Sequence, residues 1–221
     1  TDYTLALKEN GTLWAWGANN WGQLGLGDLT DRDQPVQVGV STDWAVINTK
    51  HYSSFAIKSD HSLWSWGYNN EGLLGSGGGL GHNIPMQVGI DTDWERIATH
   101  GTASFAIKTN GTLWSSGQGN YNGLGYSVAV YTQVGTDNNW RDISNGGLSI
   151  FATKYDSSLW GLGSFSRGSL APFSFDASGA GAGNRNAFAK ARDNNWVKVE
   201  TTTQTGVVLK TDGTLWAWGR N

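Results

Sequence analysis

Cysteine is absent from this 221-residue chain, proline occurs only three times, and charged residues make up only 15% of the sequence. The lack of cysteine excludes a disulfide framework and a thiolate site. No apolar run approaches the roughly 20 residues that a membrane-spanning helix needs, so the sequence predicts no such span. The formal net charge of −3 provides no basic surface, which argues against nucleic acid as a partner.

Glycine and tryptophan are abundant instead, with 32 and 13 residues respectively. Glycine-rich turns and many aromatic residues, with so few prolines, are typical of short strands joined by tight turns. One Leu-Trp motif occurs five times, at intervals of 50, 50, 46 and 56 residues, and its leading tryptophans are Trp14, Trp64, Trp114, Trp160 and Trp216. Self-similarity at this spacing predicts a repeat architecture.

Each repeat contains the pattern of about four short strands, and the second copy shows them best. The Trp-containing segments at 42–47, 92–97, 138–143 and 194–199 combine Trp, Ile and Val with polar residues, which favours a half-buried strand. An apolar run at 55–58 ends in lysine, and a tight turn separates it from the Leu-Trp-x-Trp-Gly segment at 63–67, as in a β-hairpin. A proline opens the last segment, 85–89, which suits an edge strand. Four such antiparallel strands form one propeller blade.

The order of these motifs resembles the repeat of the regulator of chromosome condensation family. Those motifs are an apolar run ending in Lys, Asp-Gly or Asn-Gly, Leu-Trp-x-Trp-Gly, a glycine loop of the type Asn-x-x-Gly-Gln-Leu-Gly, and Pro-x-x-Val. The resemblance covers nearly the whole chain and is strongest to the Trp-rich bacterial branch, often found in secreted or surface proteins. It implies an all-β fold: a β-propeller of four-stranded antiparallel blades, about four to five here, within a ring that commonly has seven. The nucleotide-exchange activity of the eponymous protein is not carried over, because no segment matches its contacting wedge.

We expect a single propeller domain or segment over residues 1–221. Its repeats are predicted at 1–39 (partial), 40–89, 90–135, 136–191 and 192–221 (partial), and the fourth is degenerate, with a Gly/Ala-rich insertion at 176–186. Both ends carry the same two strands of the repeat, so they duplicate rather than complete one another. We therefore expect either that the natural polypeptide continues beyond Asn221 or that neighbouring chains supply the missing strands.

The thirteen tryptophans fall into two groups, twelve at repeat positions and one candidate for binding. Twelve of them occupy repeat positions, where large rings are expected to pack between blades. Trp21 instead falls in the first glycine loop, where it either caps its own blade or stacks on a sugar or a partner protein. The predicted binding residues all lie in loops: Asn20, Trp21, Asp31, Arg32, Tyr68 and Tyr121.

The remaining chemical signals favour structural roles. The acidic loop at 28–33 offers oxygen ligands for a hard cation, but it lacks EF-hand spacing and is interpreted as a solvated turn. The four histidines show no metal-ligand spacing. The glycine-rich stretch 77–81 lacks the lysine and the helix that a phosphate-binding loop needs. We predict no catalytic residue, no metal site and no cofactor.

The predicted function is a non-catalytic binding or structural module, extracellular or on a cell or virion surface. It would mediate protein–protein assembly or adhesion through its blade loops, since rigid scaffolds commonly carry binding residues on loops. One alternative is a carbohydrate-binding propeller. Another is a secreted enzyme inhibitor, an enzyme regulator or an enzyme of the same fold, which a cluster of polar, titratable residues near the propeller axis would favour.

Overall fold

The computed structural model of the chain describes residues 3–145, 149–164, 184–201 and 205–219. These residues form eighteen strands. In chain order they are β1 (Tyr3–Leu7), β2 (Leu13–Gly17), β3 (Arg32–Gln37), β4 (Trp44–Lys50), β5 (Ser53–Lys58), β6 (Leu63–Tyr68), β7 (Gly81–Gln87), β8 (Trp94–His100), β9 (Ala103–Lys108), β10 (Leu113–Gly117), β11 (Val128–Gln133), β12 (Trp140–Asn145), β13 (Ser149–Lys154), β14 (Ser158–Ser164), β15 (Asn184–Asn194), β16 (Trp196–Thr201), β17 (Thr205–Lys210) and β18 (Leu215–Gly219). A single 3₁₀ turn, Asn70–Gly72, interrupts them in the described part of the chain.

The strands form five antiparallel sheets in which neighbours in sequence are neighbours in space. Sheet 1 contains β1 to β3, sheets 2, 3 and 4 contain β4 to β7, β8 to β11 and β12 to β15, and sheet 5 contains β16 to β18. The first strands of sheets 2 to 5 contact one another in series, and β1 contacts β4. Five blades therefore lie side by side around a common axis, which confirms the predicted all-β propeller of four-stranded antiparallel blades.

The fourth repeat has a long last strand that the sequence pattern did not predict. β15 (Asn184–Asn194) pairs with β14 although it has no Pro-x-x-Val motif, and Phe188 packs against the core between sheets 3 and 4. Residues 176–183 of the predicted insertion at 176–186 lie outside the described part of the chain. The last three residues of the insertion begin β15. The short apolar run 187–189, flanked by polar residues on both sides, is the sequence feature within β15 that is consistent with a strand.

An Asp or Asn side chain organises the turn of each blade's central hairpin. In sheet 2, Asp60 Oδ1 accepts hydrogen bonds from Ser62 N at 2.9 Å and from Ser62 Oγ at 2.6 Å. Ser62 Oγ in turn accepts a hydrogen bond from Trp64 Nε1 at 2.9 Å. The same chain of bonds starts in the other sheets at Asn10, Asn110, Asp156 and Asp212. The turn therefore fixes the orientation of the leading tryptophan in every blade.

This chain of bonds predicts that Asp60→Ala is destabilising whereas Asp60→Asn is nearly neutral at pH 7. Alanine removes two hydrogen bonds at an exposed turn, which should cost about 1 kcal/mol, while asparagine keeps the acceptor oxygen, as Asn10 and Asn110 do.

Hydrogen bonds from Ser62 Oγ and N hold the pKa of Asp60 below its ordinary value. The stability that the carboxylate contributes is therefore present above the unfolded-state pKa and is lost as the pH falls through the folded-state pKa. Urea unfolding at pH 7 and pH 3 measures both effects, and equal losses for the two variants would contradict them.

A residue with positive φ occupies the hairpin turn where one blade meets the next. Gly111 has a φ of +75°, and a Cβ atom there would lie 2.3 Å from the backbone oxygen of Asn138 in the connection to sheet 4. The carbonyl of Gly111 also accepts a hydrogen bond from Trp140 N at 3.0 Å. Glycine adopts this conformation without strain, whereas the equivalent turns of sheets 2 and 4 hold His61 at a φ of +63° and Ser157 at a φ of +61°.

The hydrophobic core lies between neighbouring sheets rather than within one sheet. Between sheets 1 and 2, Leu5 and Leu13 of the first sheet pack against Trp44, Ala56 and Trp66 of the second. The tryptophans that open the first strands are all buried, as predicted for repeat positions: Trp44, Trp94, Trp140 and Trp196. Each interface between sheets thus joins a leucine-bearing face to a tryptophan-bearing face.

Candidate functional site

An exposed aromatic group lies where sheets 1 and 2 meet. Trp21, in the loop between β2 and β3, packs against Tyr68 with 4.4 Å between ring centroids and against Tyr52 with 6.1 Å. The Trp21 residue is 45% exposed although both tyrosines support its ring. The structure therefore brings together two of the predicted binding residues, Trp21 and Tyr68, from consecutive repeats.

Apolar side chains extend this group into a larger surface around a depression of about 500 Å³. Leu80 on the rim is 88% exposed, and the other apolar side chains beside it are 40–57% exposed. We call this area the Trp21 surface; it consists of Trp21, Leu29, Tyr52, Tyr68, Leu80, Ile84 and Met86. Contiguous exposed apolar residues rimmed by polar ones are typical of protein-interaction sites.

The buried side chain of Asn19 holds the loop that carries Trp21. Asn19 Oδ1 accepts a hydrogen bond from Leu24 N at 3.0 Å, and Asn19 Nδ2 donates to the backbone oxygen of Asp28 at 3.0 Å. The loop also docks on the last strand of sheet 2, because Gly27 N donates to Asn83 O at 2.8 Å. Trp21 is thus presented on a braced loop, which reduces the entropy that binding would cost.

The other predicted binding residues have different surroundings. Asn20 lines the depression beside Trp21. Asp31 Oδ1 accepts a hydrogen bond from Asn19 N at 2.8 Å, and Arg32 Nη2 lies 2.6 Å from Asp28 Oδ2. Asp31 and Arg32 therefore stabilise the loop itself. Tyr121 is half-buried against the core between sheets 3 and 4, and the structure does not bring it to the Trp21 surface.

Sequence reasoning missed Tyr52 and the apolar residues of the second repeat. Tyr52 follows the first strand of its blade and approaches Trp21 only because consecutive blades stack. Ile84 and Met86 are two residues apart on β7, so the period-2 pattern of that edge strand indicated a shared face. Which face is solvent-exposed depends on the neighbouring blade and could not be derived from the strand alone.

A second concavity, which we call the axial groove, runs along the inner strands β4, β8, β12 and β16 and has a volume of about 450 Å³. Its charged lining residues are Lys50, Glu95, Arg96, Asp142 and Glu200. Titratable side chains therefore do converge near the propeller axis, in a way that one sequence alone cannot reveal. Convergent, perturbed titratable groups are a recognised mark of functional sites.

The charged groups of the axial groove are desolvated to different degrees. Burial raises the pKa of Asp142, and the attraction of Arg96 only partly offsets this effect. Burial likewise lowers the pKa of Lys50. Ser144 Oγ lies 3.5 Å from Glu200 Oε2, at the limit of a hydrogen bond, so the described residues present no activated serine nucleophile here.

These surroundings predict that Asp142→Asn increases the free energy of unfolding at pH 7. Because the native state holds the Asp142 proton more tightly than the unfolded chain, the carboxylate lowers stability increasingly as the pH rises from the ordinary value of 3.8 through the raised pKa. At pH 3 both forms are neutral and the variant should match the native sequence. Urea unfolding at both pH values tests this, with Glu9→Gln as the control, because Glu9 is an exposed carboxylate in the hairpin turn of sheet 1; a loss of stability for Asp142→Asn at pH 7 would refute the prediction.

The described residues contain neither a metal-binding cluster nor a membrane-spanning helix. In residues 3–145, 149–164, 184–201 and 205–219, no three His, Asp or Glu side chains lie close enough together to hold a metal ion. Over the same ranges, no helix is long and apolar enough to cross a membrane.

Comparison with known families identifies the repeat. The model of the regulator of chromosome condensation (RCC1) repeat matches residues 10–48 and 60–107. The ultraviolet-B receptor UVR8 of Arabidopsis thaliana is 42% identical over 45 residues, which is 20% of this chain and 10% of that protein.

Two solved structures share the whole described architecture. Human WBSCR16 superposes with a TM-score of 0.80 at 16% identity, over 99% of this chain and 60% of that one. Prp20p of Saccharomyces cerevisiae gives 0.78 at 21% identity, over 99% and 55% respectively. The chain thus spans little more than half the length of these structures, and the likeness concerns the fold alone.

The five stacked antiparallel sheets and these superpositions define a β-propeller repeat protein. More particularly, the chain is an RCC1-like repeat protein, because both its family match and its motifs are those of the RCC1 repeat. A fold of this kind hosts many functions, so function has to be argued from the surface.

Proposed function

We propose that this chain is a non-catalytic module that binds a protein partner through the Trp21 surface. The observation that carries the proposal is the exposed cluster of Trp21, Leu80, Ile84 and Met86 around one depression, with Trp21 on a braced loop and Ile84 and Met86 on β7. Aromatic and methionine side chains are enriched at protein interfaces, and a tryptophan at the centre of a patch is a typical energetic hot spot.

The relatives support a binding role of this general kind. The structural report on Prp20p concerns its binding to Gsp1p and to histones, which are proteins. We do not transfer either partner to this chain. We further propose a location outside the cell or on a particle surface, as the resemblance to Trp-rich bacterial repeats implies, where the module would serve assembly or adhesion.

A carbohydrate ligand is the second candidate, and the adjoining, tilted rings of Trp21 and Tyr68 favour it. A ring face flanked by amide and imidazole groups suits a sugar, and Asn20, His82 and Asn83 line the same depression. The partner class therefore has to be decided by experiment.

Quantitative affinity capture compares the native sequence with Trp21→Ala and Tyr155→Ala as baits. Tyr155 is an exposed aromatic residue in the hairpin turn of sheet 4, on the opposite side of the blades from the Trp21 loop, so it is a matched control. We expect one identified protein that both the native and the Tyr155→Ala baits retain and that Trp21→Ala loses, and that then binds the purified chain directly. Direct binding to a glycan array with the same dependence on Trp21 would instead support the carbohydrate candidate and overturn the protein-partner proposal.

A further inference from the structure

The outermost strand of sheet 2 has a backbone edge with which no other described strand pairs. β7 (Gly81–Gln87) is the last of four strands in the order β4-β5-β6-β7, and in the described part of the chain its strand partner is β6. Sheet 2 lies between sheets 1 and 3, because β4 contacts both β1 and β8, so neither chain end creates this edge. An unpaired strand edge is a template for pairing with another segment.

Backbone groups along this edge point away from β6. Val88 N donates a hydrogen bond to Leu63 O at 2.8 Å, and in antiparallel pairing alternate residues face opposite edges. The N–H and C=O groups of Gln87 therefore point outward. Asn83 O also points outward, because it accepts its hydrogen bond from Gly27 N in sheet 1. The edge thus presents a donor and acceptors to a neighbouring segment.

The chain itself adds a loop segment to the last strand of the following blade. In sheet 3, Val130 of the last strand β11 forms an isolated antiparallel bridge with Ser76 in the loop of sheet 2. The equivalent loop of sheet 1 contacts β7 through the hydrogen bond from Gly27 N to Asn83 O, without such a bridge among the described residues. β7 therefore has the same capacity for pairing as β11 and uses less of it.

The Trp21 surface supplies a side-chain pocket beside the same edge. Its depression follows β7 from Leu80 to Met86, and Trp21 and Leu29 of sheet 1 also line it. Side chains alternate along a strand, so every second side chain of a segment paired with β7 would face this depression. In recognition by strand addition, backbone hydrogen bonds provide affinity and pockets for alternate side chains provide specificity.

We propose that the protein partner binds as an extended segment that adds to the free edge of β7 and places alternate apolar side chains in the depression beside Trp21. The inference rests on the proposed function and deepens it by stating the form and chemistry of the partner. The loop at 28–33, which contributes Leu29 to the depression, contains three aspartates and one arginine. A lysine or arginine beside the apolar residues of the bound segment would complement this charge.

A phage-displayed library of random linear peptides of about ten residues, long enough for one strand, is the probe. We expect enriched peptides with apolar residues at alternate positions and a basic residue beside them. Trp21→Ala and Met86→Glu should each weaken the binding of such a peptide about tenfold or more, because they remove apolar contacts or place a charge in the depression. Thr132→Glu is the matched control and should bind like the native sequence, since Thr132 pairs with Ser115 in sheet 3 as Met86 pairs with Ser65 in sheet 2.

Methylation of single backbone nitrogens in the synthetic peptide tests the strand addition itself. Only alternate N–H groups of an added strand face β7, so N-methylation should weaken binding at every second residue and leave it unchanged at the others. Circular dichroism verifies that each protein variant folds, and Met86→Ser replaces Met86→Glu if that variant does not.

The two ways in which the inference can fail are distinguishable from a failure of the proposed function. Peptide binding that depends on Trp21 but lacks the alternation would overturn strand addition and leave the Trp21 surface as a binding site. A library that yields no peptide dependent on Trp21 would also overturn the inference. The proposed function is decided separately by affinity capture, which uses no peptide.

Discussion

Trp66→Ala is expected to lower the free energy of unfolding by about 3–5 kcal/mol, the range typical of a fully buried tryptophan. Trp66 is completely buried between sheets 1 and 2, and its indole Nε1 donates a hydrogen bond to Gln23 O at 2.9 Å. The glycine loop of sheet 1 is fitted to this ring, because a Cβ atom at Gly25 would lie only 2.7 Å from Trp66 Nε1. The substitution therefore opens a cavity at an interface between blades and removes one of the two hydrogen bonds that Gln23 O accepts, the other of which comes from Ser54 Oγ at 2.7 Å. Urea unfolding at pH 7 measures the loss.

Trp16→Ala is the matched control for this prediction. Trp16 occupies the same position in sheet 1, but it is only half-buried and its sheet has no preceding blade among the described residues. Its removal should cost about 1–2 kcal/mol, in proportion to the apolar area that it buries. Losses of equal size for the two variants would contradict the claim that contact between blades, rather than the repeat position itself, stabilises the fold.

Lys108→Met is expected to lower the free energy of unfolding by about 1–2 kcal/mol, because it removes two ion pairs in which the lysine is buried although both aspartates are 40–49% exposed. Lys108 Nζ lies 2.7 Å from Asp91 Oδ2 and 3.0 Å from Asp93 Oδ1, and only 8% of the lysine side chain is exposed. The same ammonium lies 4.7 Å from the ring centroid of Trp94 and 4.6 Å from that of Trp114. Methionine keeps the packing of the stem but loses the ion pairs and both cation–π contacts.

The electrostatic part of this effect has a defined pH dependence. Burial opposes the charged form of Lys108, but hydrogen bonds to Asp91 and Asp93 outweigh burial and raise the pKa above its ordinary value. The stability that the ammonium contributes is therefore fully present below the unfolded-state pKa of about 10.4 and is lost as the pH rises through the folded-state pKa. The difference between the native sequence and Lys108→Met should accordingly shrink above that pH.

Lys198→Met is the control for Lys108→Met. Lys198 pairs with Glu200 at 2.9 Å, but the two side chains are 57% and 67% exposed. Exposed ion pairs contribute little, so its substitution should change the free energy of unfolding by less than about 0.5 kcal/mol. A Lys108→Met loss no larger than this would show that the enclosed lysine is dispensable.

The sequence predicted the secondary structure well because its signals are local. The Asp-Gly and Asn-Gly turns and the Trp-containing segments such as 42–47 are properties of a few adjacent residues, and they specify hairpins and strands directly. The burial of Trp44 and Trp94 also followed from the repeat. The sequence shows that each apolar run ends in lysine, but it does not predict that this lysine lies over two tryptophan rings. Lys108 contacts Trp94 and Trp114 only after three strands have paired.

The candidate sites were harder to predict because their residues come from different blades. Trp21 was recognised by its departure from the repeat, yet its contact with Tyr52 depends on the stacking of sheets 1 and 2. Asp142 and Arg96 face the same groove only because the inner strands of consecutive blades adjoin. β15 was missed for a different reason, since it lacks the motif that marks the last strand of the other repeats.

The most direct test of the proposed function is a calorimetric titration of the captured partner with three purified chains: the native sequence, Trp21→Ala and Tyr155→Ala. An interface centred on Trp21 predicts that Trp21→Ala raises the dissociation constant about thirtyfold or more, the effect of losing a hot-spot residue worth about 2 kcal/mol. Tyr155→Ala should bind like the native sequence, and circular dichroism should show the same fold for all three. A folded Trp21→Ala chain that binds with native affinity would contradict the account.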